Sequence, residues 1–468
     1  HHAGLGRRKV GVNMELTGKK ILVFGAGISG ISAAAVLQSH GAAVTLADGK
    51  DREHLKMSDG LREIDGKVEL ALGRQDEGLL AGKELLILSP GISIHHPLVA
   101  AANQRDIPVW SEVELASRLC QAPIIAVTGT NGKTTTTTLL GEMMKTTFAE
   151  VVVGGNIGVA LSQEVQHVSG QGRVVAEISS FQLEGVHEFR PHIAVMLNLT
   201  PDHIDRHGSF EGYGATKQKL FARQTQQDFA VLNYDDEWIR AMAARISSRI
   251  FFFSRQSTLA AGAFVADGEI RLRWDGQELK ICPVADMKLF GGHNVENALA
   301  ACGAAYLAGV SPANMAKVLT SFTGVEHRIE PVATLNGVPY YNDSKATNPE
   351  SSIKALEAFD GHIILIAGGR DKNTDLTEFM RLVRERVDRL ILIGEAADRF
   401  EAAARQQGVT DIFRASSLAA AVEEARKKAV PPQVVLLSPA CASYDMFDNY
   451  EQRGRVFKDL VHGGGQSA

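Results

Sequence analysis

Val127-Thr128-Gly129-Thr130-Asn131-Gly132-Lys133-Thr134-Thr135 follows the apolar run Pro123-Ile124-Ile125-Ala126, and behind it Leu139, Leu140, Met143 and Met144 recur at helical spacing. A short buried strand, a glycine-rich turn, Lys-Thr and a helix together read as a phosphate cradle. The glycines let the backbone curl its N–H groups towards an anion, and the new helix adds its positive end. Lys133 offers a mobile cation for the outer phosphates and Thr134 a hydroxyl for Mg²⁺. Gly129, Thr130, Asn131, Gly132, Lys133, Thr134 and Thr135 are therefore the expected nucleotide-binding residues. The general pattern wants glycine five residues before Gly132, where Val127 stands. Five consecutive threonines, Thr134 to Thr138, make a poor helix start on propensity, so function explains the first of them better than stability does.

At 468 residues the chain is long for one core, and two to four domains are expected. Hydrophobic content of 45% and charged content of 22% belong to an ordinary soluble globular protein, and a net charge of -5 leaves no basic footprint for nucleic acid. No apolar run reaches membrane-spanning length, and no segment resembles a signal peptide. The opening His1-His2-Ala3-Gly4 reads as a tag remnant with Met14 as native start, so residues 1–13 are set aside. Cys120, Cys282, Cys302 and Cys441 are scattered, with no CxxC pair, which argues against zinc or disulfides and fits a reducing cytoplasm.

In the first third, the strand Lys20 to Phe24 runs into Gly25-Ala26-Gly27-Ile28-Ser29-Gly30 and an alanine-rich helix to about His40. A second strand, Ala43 to Ala47, ends at Asp48. This is a GxGxxG unit with an acid at the next strand's end. It suits a nicotinamide dinucleotide, but the same turn holds any diphosphate, including that of a UDP-sugar. A strand from Glu84 to Leu88 ends in Ser89-Pro90-Gly91, a sharp loop at the sheet edge where ligands of such sheets bind.

In the middle third, Val151-Val152-Val153 leads into Gly154-Gly155-Asn156-Ile157-Gly158. Val174 to Ile178 is an apolar strand interrupted by Glu177. Burying that acid is costly without a cation, and Mg²⁺ is the natural one beside a phosphate loop. Ser179-Ser180-Phe181-Gln182-Leu183 continues the edge. The strand Ile193 to Leu197 leads into Asn198-Leu199-Thr200-Pro201-Asp202-His203-Ile204-Asp205-Arg206-His207, whose acids and histidines suggest a metal-facing loop. HExxH, the zinc-protease signature, is absent.

The runs GTNGKTT, GGNIG, EISSFQL and LNLTPDHIDRHGS resemble the Mur ligase family, which joins amino acids to UDP-muramyl acceptors using ATP. The resemblance extends over essentially residues 14 to 461. It implies that Lys217 is carbamylated and that Thr134, Glu177, His203 and Lys217 serve two Mg²⁺ sites; taken alone, a lysine on a helix reads as surface. It further implies that Gly27, Ile28, Ser29, Asp48, Gly49, Ser89, Pro90, Gly91, Asn156, Ser179, Gln182 and His203 meet the UDP substrate, with side-chain contacts from Gly49 and Lys50 left open. Gly291-Gly292-His293-Asn294-Val295-Glu296-Asn297 opens a helix expected over Ala298 to Ala308. Asn294 reads as its cap on local grounds, whereas the resemblance sets Asn294 and Asn297 against adenine.

Phe322 to Glu330 resembles the family's hinge, implying that Arg328 reaches the ATP phosphates. Val338 to Tyr341 is a strand ending in Asn342-Asp343-Ser344-Lys345-Ala346-Thr347-Asn348-Pro349. Its DSKATN run is similar to that of the family's D-glutamate-adding members, and Asp343 joins the ATP set. Strands from Ile363, Leu390 and Val434 follow, running into Gly368-Gly369-Arg370-Asp371-Lys372, Gly394-Glu395 and Ser438 to Asp445. The resemblance implies that Lys345, Thr347, Lys372, Ser443, Tyr444 and Tyr450 surround D-glutamate, and an amino acid with two carboxylates does want fixed cations and hydroxyl donors.

The expected architecture is α/β with three domains. A Rossmann-like UDP-substrate domain covers 14–120, a central P-loop ATPase domain with a parallel sheet covers 121–324, and a Rossmann-like D-glutamate domain covers 325–468. The expected chemistry is that of a monomeric cytoplasmic ligase with ATP, UDP-N-acetylmuramoyl-L-alanine and D-glutamate as substrates and Mg²⁺ as cofactor. It has no nucleic-acid partner and no membrane span. Lys133, His203, Lys217 and Lys345 are its catalytic candidates. Two alternatives stay open: a folylpolyglutamate synthase, disfavoured by the DSKATN and SSFQL runs, and a nicotinamide-dependent oxidoreductase built on Gly25, Gly27 and Gly30.

Overall fold

The computed structural model describes residues 15–55, 59–155, 160–199, 209–289 and 291–463. The chain divides between Thr323 and Gly324 into two compact units. Among the described residues it forms three sheets, two in the first unit and one in the second, with helices in the crossovers.

The first sheet is all parallel: β1 (Lys20–Phe24), β2 (Ala43–Asp48), β3 (Glu69–Leu72), β4 (Leu85–Leu88) and β5 (Val109–Ser111), in the order β3-β2-β1-β4-β5. β1 and β4 are buried from Ile21 and Leu85 onwards, which explains their unbroken apolar sequence. The order reverses between β1 and β4, the point at which open sheets of this type bind ligands. There the glycine turn meets Ser89: a Cβ on Gly25 (φ 109) would fall 2.4 Å from Ser89 Cβ, and one on Gly30 would fall 1.7 Å from the Gly25 carbonyl oxygen. Those two glycines let the helix Ile28–Ser39 close onto β1.

The second sheet comprises β6 (Ile124–Thr128), β7 (Val151–Gly155), β8 (Arg173–Glu177), β9 (Ile193–Met196), β10 (Phe229–Asn233), β11 (Arg249–Ser254), β12 (Gly262–Ala266), β13 (Glu269–Trp274) and β14 (Gln277–Pro283). β6 lies between β8 and β9, all parallel, and β12 to β14 form an antiparallel edge. Glu114 joins the first two sheets: its buried carboxylate accepts from the backbone N–H groups of His187, Glu188 and Phe189 at 2.9, 2.8 and 3.2 Å.

The third sheet, in the second unit, holds β15 (Glu330–Leu335), β16 (Val338–Asn342), β17 (Ile363–Gly368), β18 (Val387–Ile393), β19 (Ile412–Arg414) and β20 (Val434–Leu437), in the order β15-β16-β20-β17-β18-β19. β15 and β16 form an antiparallel hairpin, turned by Asn336 (φ 50) and Gly337 (φ 78) in the left-handed region that a two-residue Asn-Gly turn requires. The remaining pairs are parallel, so β16, β20 and β17 end side by side. Among the described residues no helix is long and apolar enough to cross a membrane.

Candidate functional site

β6 delivers the phosphate loop. Gly129 (φ 151) and Gly132 (φ 85) take backbone conformations that favour glycine, and the helix Lys133–Lys145 starts directly after them. Lys133 Nζ folds back over the loop, donating to the carbonyls of Gly129 (2.8 Å) and Thr130 (3.1 Å). The N–H groups of Thr130 and Asn131 do not turn outwards as the sequence reading expects. Both donate to Asn198 Oδ1, at 2.9 and 2.8 Å, and Asn198 Nδ2 returns a bond to the Asn131 carbonyl at 2.9 Å. An anion would therefore be met by the helix start rather than by these two groups. Asn198 stands in the LNLT run, and its role was not singled out from sequence.

The helix that supplies the two asparagines starts earlier than expected, spanning Gly292–Ala308 with Gly291 (φ 90) at its cap position. Asn294 thus lies inside the first turn and does not cap it. Asn297 is buried against the loop: a Cβ on Gly132 would lie 2.4 Å from Asn297 Oδ1. Its Nδ2 donates to Asn294 Oδ1 at 3.2 Å, which leaves half-buried Asn294 as the outer member of the pair.

Glu177 ends β8 beside β6, in register with Val127, and is 2% exposed. Thr134 Oγ1 donates to its carboxylate, with 3.0 and 3.1 Å to the two oxygens. A hydroxyl and a buried carboxylate are a hard-oxygen donor pair that fits Mg²⁺. Lys217, on the helix Phe210–Gln218, is not the surface residue that its type suggests: it is 1% exposed, and Nζ donates to Thr128 Oγ1 (3.0 Å) and the Gly129 carbonyl (2.8 Å). Lys133, Thr134, Glu177 and Lys217 are thus brought to one end of β6 and β8. Asn156 and His203 lie outside the described residues. Among the described residues no three His, Cys, Asp or Glu side chains cluster as a metal site.

At the first sheet's edge, Gly27 and Ile28 are exposed and Ser29, Ser89 and Pro90 half-buried, with Gly49 and Gly91 open to solvent. Asp48 is committed to the turn itself: Oδ2 accepts from Ala26 N–H and Oδ1 from Lys50 N–H, each at 2.8 Å. Ser179 and Gln182 form a capping box on the short helix Ser180–Leu183, the serine hydroxyl accepting from Gln182 N–H at 3.2 Å and the amide oxygen from Ser179 N–H at 2.9 Å.

In the second unit, Arg328 stands between two left-handed residues, His327 (φ 67) and Ile329 (φ 41). Asp343, buried at the end of β16, accepts from Ile329 N–H at 3.1 Å and from Ser438 Oγ at 2.7 Å. Burial pushes its carboxyl up to about 7 despite those donors. Asp343 therefore fixes the Arg328 backbone from inside the fold. Lys345 and Thr347 are half-buried beyond β16, Lys372 is exposed beyond β17, and Ser443 is buried beyond β20. Tyr444 is 64% exposed, and the Tyr450 carbonyl accepts from Ser344 Oγ at 2.7 Å. The four cysteines are free and buried; burial pushes the Cys441 thiol up to about 12, which makes it a poor nucleophile.

Three mostly parallel sheets, the second carrying a phosphate loop, define a nucleotide-using α/β protein of three domains. Residues 19–111 match the family model described as the Mur ligase MurD-like N-terminal domain, residues 127–305 the Mur ligase middle domain, and residues 327–441 the Mur ligase glutamate ligase domain. The chain belongs to the Mur ligase family. It is 46% identical over 451 residues to the UDP-N-acetylmuramoylalanine--D-glutamate ligase of Thermoanaerobacter sp. (strain X514), covering 96% of this chain and 99% of the relative. The enzyme of the same name from Koribacter versatilis (strain Ellin345) is 44% identical over 448 residues, covering 96% and 98%. Among solved structures, the MurF ligase of Thermotoga maritima in complex with ADP superposes with a TM-score of 0.51 at 17% identity, covering 98% of this chain and 100% of that one. At that identity the likeness is one of fold.

Proposed function

We propose that this chain is an ATP-dependent ligase that joins D-glutamate to UDP-N-acetylmuramoyl-L-alanine in peptidoglycan precursor synthesis, releasing ADP and phosphate. The observation that carries the reading is the Lys133, Thr134 and Glu177 constellation at adjoining strand ends, in a chain 46% identical along nearly its whole length to ligases of that name.

The acceptor's terminal carboxylate attacks the γ-phosphorus of ATP, ADP leaves, and an acyl phosphate forms. The D-glutamate amine then attacks the acyl carbon and expels phosphate, leaving an amide and a released proton. Attack of one anion on another needs neutralised charge, and Lys133 supplies a cation at the phosphate loop. Thr134 and Glu177 would hold Mg²⁺, which when bound offsets phosphate charge. Lys217 as a carbamate, together with His203, would serve a second metal position. The turn Gly27 to Ser29 and the loop Ser89 to Gly91 receive the UDP moiety, with Asp48 holding that turn in shape. Asn294 faces the adenine, with Asn297 behind it. Arg328 is assigned to phosphate charge, and Lys345, Thr347, Lys372 and Ser443 to the two carboxylates of D-glutamate.

The test is phosphate release from ATP and Mg²⁺ with UDP-N-acetylmuramoyl-L-alanine, comparing D-glutamate with L-glutamate, L-lysine and diaminopimelate. Release that depends on D-glutamate alone is expected. Release with another amino acid would keep the ligase chemistry and overturn the assignment of the second unit.

A further inference from the structure

The helix Tyr450–Val461 carries an arginine with no contact to solvent. Arg453 is 0% exposed, and its guanidinium reaches two of the three loops that end β16, β17 and β20. Nε donates to Ser344 Oγ (2.9 Å), Nη2 to the Ser344 carbonyl (2.7 Å) and Nη1 to the Cys441 carbonyl (3.0 Å). Ser344 Oγ in turn donates to the Tyr450 carbonyl at 2.7 Å, closing the ring onto the helix that supplies the arginine. The third loop lies against the same group: a Cβ on Gly369 would fall 3.5 Å from Nη1 and 2.5 Å from the Ala442 carbonyl oxygen, and Arg370 N–H donates to that carbonyl at 2.9 Å.

These loops carry Lys345 and Thr347, Lys372, and Ser443. Every hydrogen-bond acceptor of Arg453 named above is neutral, and among the described residues its guanidinium makes no ion pair with a carboxylate. Asp343 and Asp445 are the carboxylates whose charge reaches it, and Asp343 is partly protonated near neutral pH because burial pushes it up to about 7. A buried guanidinium without a matched anion is costly. That cost is offset if an anionic ligand completes the charge balance.

We infer that Arg453 is a positioning residue for the amino-acid substrate, locking the three strand-end loops in one arrangement and lending them a buried positive charge that a dicarboxylate offsets. The inference rests on the D-glutamate reading above. It assigns Arg453 no contact with the substrate.

The test is steady-state kinetics on Arg453→Met, Arg453→Lys and Ser344→Ala, with KM measured separately for D-glutamate, ATP and the UDP acceptor. Arg453→Met is expected to raise KM for D-glutamate about 30-fold while leaving the other two within about 3-fold. Arg453→Lys, which keeps the charge but not the fork of bonds, is expected to fall between it and the parent, and Ser344→Ala to move KM for D-glutamate in the same direction. Equal changes in all three KM values, or an unchanged KM for D-glutamate, would overturn the inference. If Arg453→Met does not fold, Arg453→Lys and Ser344→Ala decide by the same split. Absence of D-glutamate-dependent turnover in the parent protein is a different failure: it removes the functional reading, and this inference with it.

Discussion

Thr134 Oγ1 lies 3.0 and 3.1 Å from the two carboxylate oxygens of Glu177, where β6 and β8 end side by side and both side chains are buried. One hydroxyl proton cannot satisfy a carboxylate that has about four lone-pair sites, and a buried anion needs a cation partner. Glu177→Gln keeps the shape and removes the charge. It is expected to lower kcat by about 100-fold or more, without lowering the melting temperature. A variant within a few-fold of the parent in phosphate release would show that this carboxylate holds no essential cation.

Asn198 holds two N–H groups and one carbonyl of the phosphate loop through a single side chain. Asn198→Ala is expected to cost about 1–3 kcal/mol of stability, because loop groups lose their partner. KM for ATP should rise about tenfold as the loop loses its shape. Denaturant unfolding and ATP titration check both, and a variant unchanged in both would show that Gly129 and Gly132 shape the loop unaided.

The strands and the phosphate loop were legible because apolar runs bounded by glycine are local signals: the strands read at Ala43 to Ala47 and Ile193 to Leu197 fall within one residue of β2 and β9. Long-range contacts were not legible. The helix at Gly292 starts six residues before the position read from its alanines, in a Gly-His-Asn stretch of poor helix formers, where Asn297 packs against Gly132 from a distant part of the chain. Lys217 and Arg453 sit on helices where a charged residue reads as solvent-facing, and only partners far away in sequence show that each is buried. Asp48 fitted the nucleoside-binding pattern, yet its carboxylate serves the glycine turn.

The burial of Lys217 gives its proposed carbamylation a direct check. The neutral amine adds to CO₂, forming an N–C bond and releasing a proton, and the resulting anion would suit a site that binds Mg²⁺. Protein equilibrated with ¹³C-bicarbonate and Mg²⁺ is expected to show one labelled carbon by NMR and intact mass, lost in Lys217→Arg. A bare amine under these conditions would remove Lys217 from the proposed metal ligands.

Asp343 makes a signed prediction about pH. Its carboxyl titrates at about 7 in the fold, against an ordinary value of 3.8. Between those values the folded chain keeps a proton that the unfolded chain has released. The stabilisation is therefore full below the ordinary value and lost as pH rises through about 7. Relative to Asp343→Asn, the parent protein should lose stability from about pH 5 to pH 7 and run parallel above that. Denaturant midpoints check this, and a gap that is constant or widens in the parent's favour over that range would contradict the buried, protonated form.

The most direct test of the ligase account follows an oxygen atom. UDP-N-acetylmuramoyl-L-alanine labelled with ¹⁸O in its terminal carboxylate is incubated with ATP, Mg²⁺ and D-glutamate, and both the phosphate and the nucleotide product are weighed by mass spectrometry. If the carboxylate attacks the γ-phosphorus and the amine then displaces phosphate, one ¹⁸O per turnover appears in the phosphate, and the UDP product gains one glutamyl residue. Unlabelled phosphate, or a UDP product of unchanged mass, would contradict the account.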